Sequence, residues 1–149
     1  METRLWFYRK IWKTGSSYKM KQYIAHITLL VSDYDEAIQF YTEKLGFNLI
    51  EDTQLSETKR WVRVAPKGSI ECCLLLAKAD GEAQRNHVGN QTGGRVSLFL
   101  YTDDFWRDHA NMLAKNIKFI REPKAELYGT VAVFADLYGN YWDLIQPNT

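Results

Sequence analysis

The stretch AHITLLVSDYDEAIQFYTEKLGF, residues 25–47, contains the change of hydrophobic period that decides the fold. From Tyr23 to Val31 the side chains alternate between two faces, which is typical of a strand with one face buried. Asp33 then offers a helix N-cap, with Glu36 three residues later. Four apolar residues follow at helical spacing: Tyr34, Ile38, Tyr41 and Leu45. Because Gly46 is a favourable helix end, the stretch predicts one strand followed by one helix.

Three further strands are predicted after this helix. They are Phe47 to Glu51, Arg60 to Ala65, and Ile70 to Ala77. The last of them is nearly all apolar, which favours a central place in a sheet. Residues 78–94 then show no periodicity and carry four glycines, so we expect a long loop that acts as a linker or a lid.

The same order of elements recurs in the second half. Gly94 to Tyr101 alternates like the first strand, and Asp103 and Asp104 offer a cap. The first helical stripe is repeated by Trp106, Ala110, Leu113 and Ile117. Strands are predicted at Lys118 to Arg121, Gly129 to Ala135, and Asn140 to Gln146. The sequence therefore predicts an α+β protein of two tandem βαβββ modules, which must pack together because one module cannot bury both faces of its sheet.

Alternation also sorts the side chains of the first strand of each module. Apolar residues face the helices, and more polar residues face the opposite, concave side, where we expect a pocket. These residues are His26, Thr28, Arg95, Ser97 and Tyr101. Three tryptophans are predicted to pack mostly in the core: Trp61, Trp106 and Trp142.

The composition excludes several classes of function. The chain has 149 residues and a net charge of +1, so it has no overall basic field for nucleic acid. No apolar run approaches the roughly 18–20 residues that span a membrane. The only cysteines, Cys72 and Cys73, are adjacent, which excludes a disulfide scaffold and favours the reducing cytoplasm. They are either strand residues or reactive thiols.

The first 19 residues differ from the rest, with five basic residues, one acidic residue and six large apolar residues crowded together. Three interpretations stay open for this segment. The first is an extension outside the core, the second is a segment that contacts a partner or a membrane surface, and the third is an integral element of the fold.

The stretch 25–47, together with GGRVSLFL at residues 93–100 and DLYGNYWDLIQP at 136–147, resembles the vicinal oxygen chelate superfamily. That superfamily includes glyoxalase I, extradiol dioxygenases and bleomycin-resistance proteins. The resemblance implies a domain over residues 20–149 whose curved mixed sheets surround a concave pocket. The modules would cover about residues 20–80 and 94–147, with a linker at about 78–94.

Metalloenzymes of this superfamily take metal ligands from the first and last strands of each module. The resemblance places His26 and Asp143 at two of these positions. Arg95 occupies a third, and Leu74 or Leu75 occupies the fourth. Since leucine has no lone pair and arginine stays protonated, we expect a degenerate metal site and no cofactor.

The leading hypothesis is a cytoplasmic protein that binds a small organic molecule, an anion included. The candidate binding residues are His26, Arg95, Tyr101, Tyr141, Asp143, Trp61 and Arg63. The alternative is an enzyme, a glyoxalase I-type lyase or a dioxygenase, with a divalent metal ion on His26 and Asp143. A structural alternative makes Arg95 the partner of Asp143 in a buried charge network with His26. The resemblance also implies a homodimer, and we expect neither a nucleic acid nor a membrane as partner.

Overall fold

The structure is a computed structural model that describes residues 22–69 and 71–148. The interpretations of the leader, residues 1–19, and the predicted strand start at Ile70 lie outside the described residues. Within the described ranges, no helix is long and apolar enough to cross a membrane.

The first half of the chain forms one four-stranded mixed sheet with a helix. Its elements are β1 (His26–Val31), α1 (Tyr34–Gln39) with a π-helical continuation (Phe40–Lys44), β2 (Asn48–Gln54), β3 (Arg60–Ala65) and β4 (Cys73–Lys78). The strand order is β1–β4–β3–β2, in which β1 and β4 run parallel and the other neighbours antiparallel. Asp33 caps α1, since its carboxyl group accepts the backbone N–H of Glu36 at 3.0 Å.

The second half repeats this arrangement. Its elements are α2 (Gly81–Arg85), β5 (Leu98–Tyr101), α3 (Phe105–Ala114), β6 (Phe119–Glu126), β7 (Gly129–Ala135) and β8 (Tyr141–Pro147). The strand order is β5–β8–β7–β6, again with one parallel pair, β5 and β8. The predicted fold class, α+β with two βαβββ units, is therefore confirmed.

Two elements differ from the prediction in the segment that joins the halves. β5 begins at Leu98 rather than Gly94. Gly94 has a φ of 86°, outside the range of a regular strand, and the chain bends at Arg95 before the strand starts. The short helix α2 lies where only a loop was expected. It buries none of its residues, so it has no hydrophobic period to detect.

One hydrophobic core joins the two halves. The first sheet contributes Leu29, Val31, Val62, Val64, Leu74 and Leu76, and the second contributes Ala132, Phe134, Trp142 and Leu144. The Trp142 ring lies 6.0 Å from the rings of Tyr41 and Phe47 in the first half and 5.7 Å from Phe134. The predicted burial of Trp142 is confirmed, since it is 3% exposed.

The predicted buried face of the second helix is wrong. Trp106 is 62% exposed and Leu113 50% exposed, whereas Phe105 and Met112 are buried. The chain carries apolar pairs at both 105–106 and 112–113, so spacing alone permits two helix faces about 100° apart. The docking of α3 on β8 selects the face that holds Phe105 and Met112.

A buried polar link also connects the halves. The Tyr41 hydroxyl donates to the carboxyl group of Asp136 at 2.6 Å, and both residues are buried. Burial raises the pKa of Tyr41 well above its ordinary value, and the neighbouring Asp136 raises it further. The phenol therefore stays protonated and remains a hydrogen-bond donor.

Candidate functional site

Both sheets turn one face to the shared core and the other face outward. Directly paired residues of neighbouring strands share a face, so the register identifies the outward side chains. On the first sheet they include His26, Glu51, Trp61, Arg63, Cys73 and Leu75, which we call the first outer face. On the second sheet they include Phe99, Tyr101, Arg121, Val133, Tyr141 and Asp143, which we call the second outer face.

Polar side chains of the first outer face form a connected cluster. Arg63 donates from Nε and Nη2 to one oxygen of Glu51, at 3.2 and 2.8 Å. The Cys73 sulfur lies 4.0 Å from Arg63 Nη1 and 3.7 Å from His26 Nδ1. The His26 ring meets Trp61 edge-on, with centroids 5.5 Å apart.

The structure thus brings together three of the predicted site residues, His26, Trp61 and Arg63. The sequence analysis missed Glu51 and Cys73 as members of this cluster. Glu51 lies opposite Arg63 only because the register of β2 and β3 shifts between Leu49 and Glu51. That irregularity leaves no signal in the hydrophobic pattern.

The second outer face is aromatic and open along its edge strand, β5. Phe99 and Tyr101 are 60% and 66% exposed on the edge strand β5. Asp143 lies directly opposite Phe99 on β8. Burial raises the pKa of Asp143, and the positive charge of Arg121 partly offsets this shift. Arg121 is therefore a further residue that the sequence analysis missed.

Arg95 lies in the bend before β5 and is exposed. Its backbone carbonyl accepts a hydrogen bond from the Thr92 hydroxyl at 2.7 Å. Among the described residues, its guanidinium makes no ion pair with a carboxylate. The buried charge network of Arg95, His26 and Asp143 is thus not formed, since Arg95 is not buried.

Within one chain, the described side chains are not grouped as the donors of a divalent metal site. His26 lies on β1 of the first sheet and Asp143 on β8 of the second. Leu74 faces the core, and Leu75 has no donor atom. Within residues 22–69 and 71–148, no three His, Cys, Asp or Glu residues are grouped so as to hold a metal ion.

The cavity at the first outer face is too small to enclose an organic ligand by itself. The cavity at the first outer face, beside Arg63, Cys72 and Cys73, has a volume of about 90 Å³. Pockets for small organic ligands usually measure roughly 300–1,000 Å³. A second surface is therefore needed to enclose an organic molecule on this face.

Comparison with known proteins settles the family. The sequence pattern of the Glyoxalase/Bleomycin resistance protein/Dioxygenase superfamily matches residues 23–144. The chain belongs to this superfamily. An uncharacterized protein from Shewanella frigidimarina (strain NCIMB 400) is 61% identical over 130 residues, which cover 87% of this chain and 96% of that protein.

Solved structures of other proteins share the fold. The crystal structure of UcmS2 is similar with a TM-score of 0.74 and 31% identity, covering 85% of this chain and 98% of that one. TnmS3, an antibiotic binding protein from Streptomyces sp. CB03234, gives a TM-score of 0.70 and 30% identity. That match covers 88% of this chain and 100% of TnmS3. The resemblance seen in the sequence is confirmed at the level of the superfamily.

Proposed function

We propose that this superfamily member binds a small aromatic molecule with an anionic group and has no resident metal. The observation that carries the proposal is the open second outer face, where Phe99 and Tyr101 are 60% and 66% exposed. Large exposed aromatic side chains on a sheet face favour stacking with a flat ligand. The free guanidinium of Arg95, just before β5, would pair with a carboxylate or phosphate.

The relatives support the same class of function. TnmS3, which shares 30% identity with this chain, is an antibiotic binding protein. Antibiotics are small organic molecules, and a binding protein needs no catalytic metal. The chemistry of the outer faces is compatible with this role, since it offers aromatic surface and charged groups without a grouped donor set in the described residues.

Ligand binding should depend on Phe99 and Arg95. In thermal unfolding with a panel of aromatic carboxylates and phosphates, we expect at least one compound to stabilise the native protein. At 100 times the dissociation constant, the gain is about 2.7 kcal/mol. Phe99→Ser and Arg95→Ala should abolish the gain. Trp106→Ser, which alters a 62% exposed aromatic outside both outer faces, should retain it.

Two results would overturn the proposed function. One is a panel that gives no stabilisation, or stabilisation that both substitutions leave intact. The other is stoichiometric divalent metal in the purified protein that His26→Ala or Asp143→Ala removes. That second result would favour the alternative, a metal-dependent lyase or dioxygenase.

We also propose that the protein is a homodimer in which the first outer face of one copy meets the second outer face of the other. The two outer faces belong to different sheets of the chain, and a second copy would bring a first outer face against a second outer face. A second copy would cover Phe99 and Tyr101 and complete the enclosure of a ligand.

Since the described cysteines are free thiols, the cytoplasm is the proposed location.

Light scattering tests the homodimer. The native protein should have twice the mass of one chain, and Tyr101→Asp should reduce it to one chain mass because a carboxylate would be buried in the interface. Trp106→Asp, a matched change at a similarly exposed aromatic, should leave the mass unchanged. A monomeric native protein, or a dimer that only Trp106→Asp disrupts, would contradict the arrangement.

A further inference from the structure

A cleft of about 490 Å³ opens where the two halves of the chain meet. The first half contributes Phe40 and Lys44 from the π-helical continuation of α1. The second half contributes the turn 136–139 between β7 and β8, residues 116–118 before β6, and Ile120 in β6. It touches the second outer face only at Ala135 and Tyr141. Its volume lies within the range of roughly 300–1,000 Å³ that small-molecule sites occupy.

The turn that forms one wall of the cleft is held in place by hydrogen bonds. The Asp136 carboxyl group accepts the backbone N–H groups of Tyr138, Gly139 and Asn140 at 2.9–3.0 Å. The Tyr138 hydroxyl donates to Glu36 at 3.0 Å and so connects the turn to α1. The cleft is therefore preformed, and it exists only while the halves are docked.

The lining combines apolar surface with positive charge. Phe40 and Ile117 are buried at its base, and Ile120 and Leu137 are 37% and 38% exposed at its wall. The lining includes two lysines, Lys44 and Lys118. Among the described residues, neither ammonium group lies within ion-pair distance of a carboxylate.

The other ionisable groups of the lining offset only part of this charge. Asp136 is the acidic residue of the lining, so its carboxylate offsets one of the two positive charges, and its oxygens already accept hydrogen bonds from the Tyr41 hydroxyl and the Asn140 side chain. Burial raises the pKa of Tyr138 to about 12, so its phenol is neutral at physiological pH. The cleft therefore presents a net positive charge beside an apolar wall.

We propose that this cleft is a second binding site, which takes a small amphipathic anion. The apolar body of the ligand would lie against Ile120 and Leu137, and its acidic group would be neutralised by Lys44 and Lys118. A cation pair beside an apolar wall favours an anion with an aromatic or aliphatic body over a neutral molecule or a small inorganic ion. This site goes beyond the proposed function, because it uses neither Phe99 nor Arg95.

The test titrates the full-length protein with 1-anilinonaphthalene-8-sulfonate and follows its fluorescence. N-phenyl-1-naphthylamine, which has the same ring system without the sulfonate, is the neutral probe. The titration is made on the native protein and on Phe99→Ser protein, in which the site proposed on the second outer face is removed. In Phe99→Ser protein we expect one sulfonate probe per chain, bound at least about tenfold more weakly after the added double substitution Lys44→Gln, Lys118→Gln. Affinity for the neutral probe should be unchanged by that substitution, and Leu137→Glu should weaken both probes.

The matched control is the double substitution Lys59→Gln, Lys67→Gln, which removes two exposed lysines of the first half that do not line the cleft. It should leave the affinity for the sulfonate probe unchanged. We expect the lysine variants to fold, because none of the four lysines makes an ion pair among the described residues. Circular dichroism checks that every variant is folded.

Three outcomes would overturn the second site. The first is no binding of the sulfonate probe to the folded protein. The second is equal weakening by the cleft substitution and the control, which would indicate only a general effect of net charge. The third is probe binding that Phe99→Ser abolishes and the cleft substitution leaves intact. That result would place the probe on the second outer face, overturning the second site while leaving the proposed function standing.

Discussion

Replacing Asp136 with alanine should lower the free energy of unfolding by about 3–5 kcal/mol. The Asp136 carboxyl group is buried and accepts hydrogen bonds from the Tyr41 hydroxyl, the Asn140 side chain and three backbone N–H groups of its turn. Removing it would leave several buried donors without a hydrogen-bond partner. Each such donor destabilises the folded state, because it has lost its hydrogen bonds to water and gained none in return. Urea unfolding followed by circular dichroism measures the change.

A surface aspartate provides the control. The side chain of Asp103 is 86% exposed and pairs with Arg107 within the same helical region. Such exposed pairs contribute about 0–1 kcal/mol, so Asp103→Ala should change stability little. Tyr41→Phe removes a single donor and should cost about 1–3 kcal/mol. A loss below about 1 kcal/mol for Asp136→Ala would show that water replaces the buried contacts.

Trp142→Ala should destabilise the protein by about 3–5 kcal/mol. Its ring is 3% exposed and packs between aromatic residues of the two halves, Tyr41 and Phe47 on one side and Phe134 on the other. Alanine would lose the burial of the ring and leave a cavity where the halves meet. Thermal and urea unfolding should report the same large loss.

Trp106→Ala is the matched control for the indole ring. Since Trp106 is 62% exposed, we expect a change of no more than about 1 kcal/mol. Equal losses for the two substitutions would contradict the packing of α3, because they would place Trp106 in the core. The two tryptophan substitutions together test the core that the two halves share. They also test which face of α3 is buried, which the sequence analysis assigned wrongly.

The order of the elements was predictable because it depends on local patterns. Arg60–Ala65 and Gly129–Ala135 have the same bounds in the sequence analysis and in the structure. Both strands are rich in β-branched and other apolar residues and are bounded by turn residues. The start of α1 and the end of its π-helical continuation were also predictable, because Asp33 caps the start and Gly46 follows the end with a positive φ.

Other features depended on contacts between distant residues. The buried face of α3 follows from its docking, because its sequence offers two apolar stripes. The pairing of Glu51 with Arg63 depends on a register shift, and the approach of Arg121 to Asp143 depends on the irregular pairing of β6 and β7. None of these is encoded in the spacing of one segment.

By itself, the sequence determined the two tandem βαβββ units and the outward direction of His26, since both depend on the alternation of neighbouring residues. Its motifs carried the resemblance to the superfamily, and that resemblance implies the ligand positions at which leucine and arginine are expected. Only the tertiary structure decided that the two sheets share one core. The same docking of the halves created the cleft beside Lys44 and Lys118, because its lining comes from segments about 70 to 100 residues apart that meet only in the folded chain.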